Sequence, residues 1–142
     1  MSMRSSLDSL LILERKYHNI LAEVAKQQDL TIAEWQLLIK INNGLQTQEQ
    51  LAHTTKLNIS TLSRQLARLD AKKFITKMQT NGTRGRGYFT YSGTEKGEEA
   101  VQKMQSSLKT LEQKLFMRWS DEETTLLQVL LNRLVQSMKR FD

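Results

Sequence analysis

The chain has no cysteine, so disulfides, thiolate metal sites, a cysteine nucleophile and thiol redox sensing are all outside its repertoire. Histidine is nearly as scarce. His18 and His53 stand alone, with no acidic cluster at ligand spacing, and no metal site is expected. Proline is absent, which leaves helix ends to be set by capping side chains and glycine. Apolar runs such as Leu10 to Leu13 and Val129 to Leu131 fall far short of the roughly 18 residues of a membrane span, and the first residues carry no apolar signal core. A cytoplasmic protein with no membrane partner is the expectation. There is also no phosphate-cradling glycine loop opening a helix and no histidine paired with serine and acid in a recognisable motif. These gaps argue against an enzyme, and no cofactor is implied.

What is present is enough for one core. The 142 residues are 39% hydrophobic and 25% charged, near average globular usage, so neither disorder nor fibrous repetition is expected. The formal net charge of +6 points to a polyanionic partner, either nucleic acid or an anionic membrane surface.

Hydrophobic spacing predicts a mainly α chain with one small β-hairpin. Leu7, Leu10, Leu11, Tyr17, Ile20, Leu21 and Val24 recur at helical intervals over residues 7 to 24. Thr31 with Glu34 has the form of a capping box ahead of Trp35, Leu38, Ile39 and Ile41, a helix that Asn43-Gly44 stops. Thr47 with Gln50 repeats the box before a short helix ending near Thr55. Asn58 caps a fourth helix whose Leu62, Leu66 and Leu69 face inward, with Ile59 packing near its start. Ile75 to Gln79 and Tyr88 to Ser92 read as hairpin strands around a polar, glycine-rich tip from Asn81 to Gly87. From about Thr94 the helical period returns, with Val101, Met104, Leu108, Leu111 and Leu115 on a heptad seam that requires a partner helix. Ser120 with Glu123 forms a third box before the sixth helix, which carries Leu126, Leu127, Leu130, Leu131, Leu134, Val135 and Met138.

The charge is not evenly spread. Between residues 54 and 87 stand Lys56, Arg64, Arg68, Lys72, Lys73, Lys77, Arg84 and Arg86 against the single acid Asp70, while the rest of the chain has thirteen basic and fourteen acidic residues. Such a concentration is the footprint of a surface that neutralises phosphates. It does not line one continuous amphipathic face, which counts against a membrane surface. A short helix, a turn and a capped second helix make a helix-turn-helix, whose second helix enters the major groove. On that helix Ser60, Thr61, Ser63, Arg64, Gln65 and Arg68 lie off the leucine face, and these residue types can bond base edges or phosphates. Arg84 and Arg86 at the hairpin tip suit a narrow minor groove.

Three stretches, LTIAEWQLLIKI at 30 to 41, LAHTTKLNISTLSRQLARLDAKKFI at 51 to 75 and RGRGYFTYSGTEKG at 84 to 97, resemble the winged helix-turn-helix transcription regulators of the MarR family. The resemblance covers nearly the whole chain and implies one MarR-like domain over 1–142. Within it, 31–93 would be the DNA-binding winged part, and 1–28 with 94–142 the dimerisation helices. It implies a cytoplasmic homodimer on a pseudopalindromic operator in double-stranded DNA, a repressor as the family expectation, with the recognition helix in the major groove and the wing in the minor groove. The DNA-binding set is then Asn58, Ser60, Thr61, Ser63, Arg64, Gln65, Arg68, Arg84 and Arg86. It further implies a small-molecule effector between the dimerisation helices and the winged unit, for which Tyr17, His18 and Trp35 are the candidates. The alternative is a winged-helix module that binds DNA or protein without ligand control.

The chain departs from the family pattern at several positions. Lys56 and Lys73 stand where glycine is common, so each either accepts a strained backbone or adopts a different turn. Gly85 replaces an aspartate that would steady the wing, which is therefore expected to be disordered without DNA. Gly93 replaces a leucine before Thr94-Glu95-Lys96-Gly97, which is expected to weaken the core at the hairpin's end.

Overall fold

A computed structural model describes residues 2–44, 46–81 and 87–142. Its elements run α1 (Ser6–Gln27), α2 (Ile32–Asn42), α3 (Gln48–Thr55), α4 (Ile59–Ala71), β1 (Ile75–Asn81), β2 (Gly87–Gly93), α5 (Glu95–Leu115) and α6 (Asp121–Met138), with a final 3-10 turn at Lys139–Phe141. This is the expected mainly α chain with one hairpin. The chain divides into two units, Met1–Gln105 and Ser106–Asp142. The division falls within α5 rather than at its start because Ala100, Val101 and Met104 are buried in the core of the first unit.

In the first unit the helix starts are set by the expected side chains. Thr31 with Glu34 and Thr47 with Gln50 both form complete capping boxes, and the Asn58 side chain accepts from the Thr61 N–H at 2.8 Å. The helix ends are less conventional. Asp29 (φ 60°), Lys56 (φ 57°) and Lys73 (φ 67°) all take the left-handed backbone, which costs a non-glycine residue about 1 to 2 kcal/mol each. Lys56 and Lys73 thus accept the strained backbone rather than a different turn, and among the described glycines only Gly44 has a positive φ.

Local hydrogen bonding holds two of these strained residues in place. At the end of α4, Lys73 N–H donates to Asp70 O at 2.9 Å and Phe74 N–H to Leu69 O at 3.0 Å, the paired bonds of a Schellman turn, and Phe74 and Leu69 are both buried. At the end of α1, Asp29 donates to Lys26 O and Leu30 to Ala25 O, both at 2.9 Å, with Ala25 and Leu30 buried. In each case the apolar clasp offsets the missing glycine.

The core gathers Leu37, Leu38 and Ile41 of α2, Leu51 of α3, Leu62, Leu66 and Leu69 of α4, and Phe74, Ile75 and Tyr91 around the hairpin. Burial raises the Tyr91 phenol above its ordinary pKa, and the charge of Asp70 adds to the effect. The strands pair antiparallel from Ile75↔Gly93 to Asn81↔Gly87, longer toward the tip than the β-formers alone indicate. A further strand-like contact has no local sequence signal. Tyr91 N–H donates to Gln46 O at 2.7 Å and Thr47 bridges Thr90, so the segment before α3 tethers the hairpin to the helix-turn-helix. Residues 82–86, with the expected disorder of the tip and its Arg84, Gly85 and Arg86, lie outside the described residues.

At Gly93 the Asn42 side chain occupies the space a Cβ would take, with its Oδ1 buried and without a hydrogen-bond partner. One packing expectation is corrected. Ile59 does not pack near the helix start. It is 67% exposed and absent from the apolar side chains on the core, because the leucine stripe begins one turn later at Leu62.

The Thr94-Glu95-Lys96-Gly97 stretch clips α5 onto the turn after α4. Thr94 Oγ1 donates to Lys73 O at 2.7 Å and accepts from Gly97 N–H at 3.1 Å, while Lys96 Nζ donates to Lys72 O at 2.7 Å. Glycine is required at 97 because a Cβ would collide with the Phe74 carbonyl oxygen. Gly97→Ala is therefore expected to destabilise the fold by about 1 to 3 kcal/mol, the range for overpacking. Thermal melts of the two proteins check this, and superimposable curves would refute the close approach.

In the second unit, Ser120 and Glu123 complete the third capping box, and hydrogen bonds from Ser120 hold the Glu123 carboxyl below its ordinary pKa. Phe116 and Trp119 meet edge to face at 4.9 Å in the turn before α6. No residue of α6 is buried. The heptad seam changes character along α5: Val101 and Met104 are buried in the first unit, whereas Leu115 is exposed.

Candidate nucleic-acid interface

The basic segment is assembled on α3, α4 and the turn between them. Thr55 Oγ1 ends α3 by donating to Leu51 O at 2.7 Å, and Lys56 turns the chain through its left-handed backbone. Asn58 then opens α4, so that only two residues separate the helix end from the cap of the next helix. Leu62, Leu66 and Leu69 are buried to 2% exposure or less and fix the rotation of α4 about its own axis. That rotation decides which side chains face outward.

Ser60, Arg64 and Arg68 are exposed, and Ala67 between them keeps the surface low. Ser63 is exposed and already engaged, accepting from Gln48 Nε2 at 2.7 Å, a bond that locks α3 to α4 on the outer side. Asn58 is exposed with its Oδ1 committed to the cap. Thr61 and Gln65 are half-buried on the flanks, and Gln65 Oε1 is shielded from solvent without a hydrogen-bond partner. The structure thus brings Ser60, Ser63, Arg64 and Arg68 to one outer face and sets Thr61 and Gln65 at its edge. Arg84 and Arg86 lie outside the described residues.

The positive footprint is smaller than the count of lysines implies. Lys72 is turned inward, with its Nζ 3.1 Å from Glu34 Oε1 and 2.8 Å from Asp29 O. Its place in the basic segment suggests a phosphate contact, but a buried carboxylate claims it: Glu34 is 1% exposed. Lys77 Nζ sits 3.9 Å over the Phe89 ring. Lys56, Lys73, Arg64 and Arg68 remain as exposed cations without such engagement among the described residues.

The fold places the chain among known structures. It is similar to a variant of S. aureus MepR (TM-score 0.81, 20% identity, 95% of this chain and 99% of that one). It is similar also to MarR (TM-score 0.73, 25% identity, 96% of this chain and 99% of that one). This is the MarR fold. A third similar structure is a complex of S. aureus MepR with DNA (TM-score 0.68, 19% identity, 94% of this chain and 96% of that one). No family model and no curated protein matches the sequence.

The three effector candidates do not converge within this MarR fold. Tyr17 is exposed on α1. Trp35 is half-buried against the core, its Nε1 shielded and without a hydrogen-bond partner. His18 lines an open depression of about 470 Å³ with Lys26, Leu30 and Ile32, which neither of the other two borders. Among the described residues no group of three His, Asp or Glu side chains is placed to hold a metal ion. No described helix is long and apolar enough to cross a membrane.

Proposed function

We propose that this protein is a homodimeric, sequence-specific DNA-binding transcription regulator, a repressor by family expectation. It would bind a pseudopalindromic operator with α4 in the major groove and the hairpin tip in the minor groove. The observation that carries this reading is the outer face of α4, where Ser60, Arg64 and Arg68 stand opposite a buried leucine stripe in a MarR fold. Arginine in that position can bond a guanine edge through two hydrogen bonds, and serine can bond a base or a phosphate. The likeness to a MepR–DNA complex supports double-stranded DNA as the partner. Arg84 and Arg86 would add minor-groove or phosphate contacts. A small-molecule effector would act at the depression beside His18, and the function needs no enzyme activity.

Two units related by a dyad would read two half-sites about one helical turn apart. The dimer is supported by α6, an 18-residue helix with an apolar stripe and no buried residue.

Selection from randomised duplexes, followed by titration of the selected sequence at several salt concentrations, tests the reading. Engagement of about eight phosphates gives a log-log slope near −7. Arg64→Ala is expected to lose about 1 to 3 kcal/mol of discrimination between the selected and a scrambled duplex. Equal loss on both duplexes would reduce Arg64 to a phosphate contact, and the absence of any duplex binding would overturn the DNA-binding function.

A further inference from the structure

Ile59 is a large apolar side chain held in water by the fold itself. It occupies the first position of α4, directly after the Asn58 cap, and is 67% exposed. It is not among the apolar side chains packed on the core. A β-branched residue offers nothing to helix propensity at this position, and its exposed hydrocarbon gains nothing from solvent. Every other side chain in the first two turns of α4 either belongs to the core or is small, polar or charged: Ser60, Thr61, Ser63, Arg64 and Gln65. Side chains lean toward the N-terminus of their helix, so Ile59 projects past the start of α4. That is the end of a recognition helix that meets base edges.

Resting on the DNA-binding reading above, we infer that Ile59 is a specificity determinant that packs on the C5-methyl group of a thymine in each half-site. In the major groove that methyl group is the one apolar feature of a natural base pair, and cytosine lacks it. The isoleucine side chain has no hydrogen-bonding group, so contact with this methyl group is the favourable means by which it can distinguish bases. Of the polar side chains in the first two turns only Thr61 also carries a methyl group, and it is half-buried at the edge of the outer face.

The test compares wild type with Ile59→Ala. Each is first used to select duplexes from a randomised pool. The selected thymines are then replaced one at a time by uracil, which removes the methyl group and leaves the hydrogen-bonding edge unchanged. Wild type is expected to select a thymine at a fixed position in each half-site and to lose about fourfold in affinity per methyl group removed there. Ile59→Ala is expected to bind the thymine and uracil duplexes equally, with other positions of its selected sequence unchanged. 5-Methylcytosine at the same position should recover part of the wild-type affinity lost on cytosine. Since Ile59 is exposed, the variant should keep the wild-type melting temperature. Selection of the same thymine by Ile59→Ala, or equal uracil penalties for both proteins, would overturn the assignment while leaving DNA binding intact. If wild type selects no sequence at all, the DNA-binding reading fails and the assignment fails with it.

Discussion

Lys72→Ala is expected to remove about 3 kcal/mol of folding free energy, the lower end of the range for breaking a buried ion pair. The substitution would leave the Glu34 carboxylate, 1% exposed, without its cation. One partner would remain, because Thr31 N–H donates to Glu34 Oε1 at 2.8 Å, and the Lys72 side chain is itself 28% exposed. Both facts favour the lower end. The mirror substitution should cost less. Glu34→Gln keeps an oxygen for the Thr31 N–H, and the Lys72 ammonium can retain Asp29 O and turn to water, so about 1 to 2 kcal/mol is expected. Chemical denaturation of the wild type, both single variants and the double variant closes a thermodynamic cycle. Losses below about 1 kcal/mol from both single substitutions would show that the pair behaves as a solvated surface bridge.

The ion pair also bears on function, because Lys72 joins two strained turns. It caps α4, immediately before left-handed Lys73, and reaches the carbonyl and, at 3.9 Å, the carboxylate of left-handed Asp29. The end of α4 is thus tied to the α1 to α2 loop and to the capping box of α2. A Lys72→Ala protein that still folds should lose DNA affinity without Lys72 ever touching a phosphate. A similar proportional loss on selected and scrambled duplexes would accompany such a positional effect.

Local rules wrote most of the fold into the sequence. The three capping boxes and the Asn58 cap each depend on side chains no more than three residues apart, and all were legible. The outward face of α4 followed from the spacing of Leu62, Leu66 and Leu69. What escaped was non-local. Nothing near Lys72 in the sequence marks Glu34 as its partner, 38 positions away, and so it was grouped with the solvent-facing cations. The Gln48 to Ser63 bond, the Gln46 to Tyr91 pairing and the Asn42 side chain against Gly93 have the same character. Asp29 escaped because residue type argues against a left-handed backbone; at Lys73, where the sequence leaves a strained backbone or a different turn open, the buried apolar clasp beneath the turn decides for the first.

Leu130→Asp combined with Leu134→Asp is expected to give a species of 16.5 kDa in light scattering, against an expected twice that mass for the wild type. Both leucines lie on α6, one turn apart, 50% and 38% exposed in the isolated chain. Leu126, Val129, Leu131, Val135 and Met138 are exposed on the same helix, an apolar surface too extensive for a solitary helix in water. A helix of this length draws its stability from burying such a stripe, and the chain's own core does not bury it. A second copy would. In a two-fold interface each substitution acts twice, so the pair removes four leucines, each half-exposed in the isolated chain and worth about 1 kcal/mol on burial, and introduces four carboxylates. The sum of about 4 kcal/mol corresponds to roughly three orders of magnitude in dissociation constant before the desolvation of the aspartates is counted. Operator affinity should fall as well, because two half-site contacts no longer act as one. Arg64→Ala should leave the mass unchanged, which separates the two effects. A double-aspartate variant that keeps the wild-type mass and operator affinity would show that α6 is not the dimer interface.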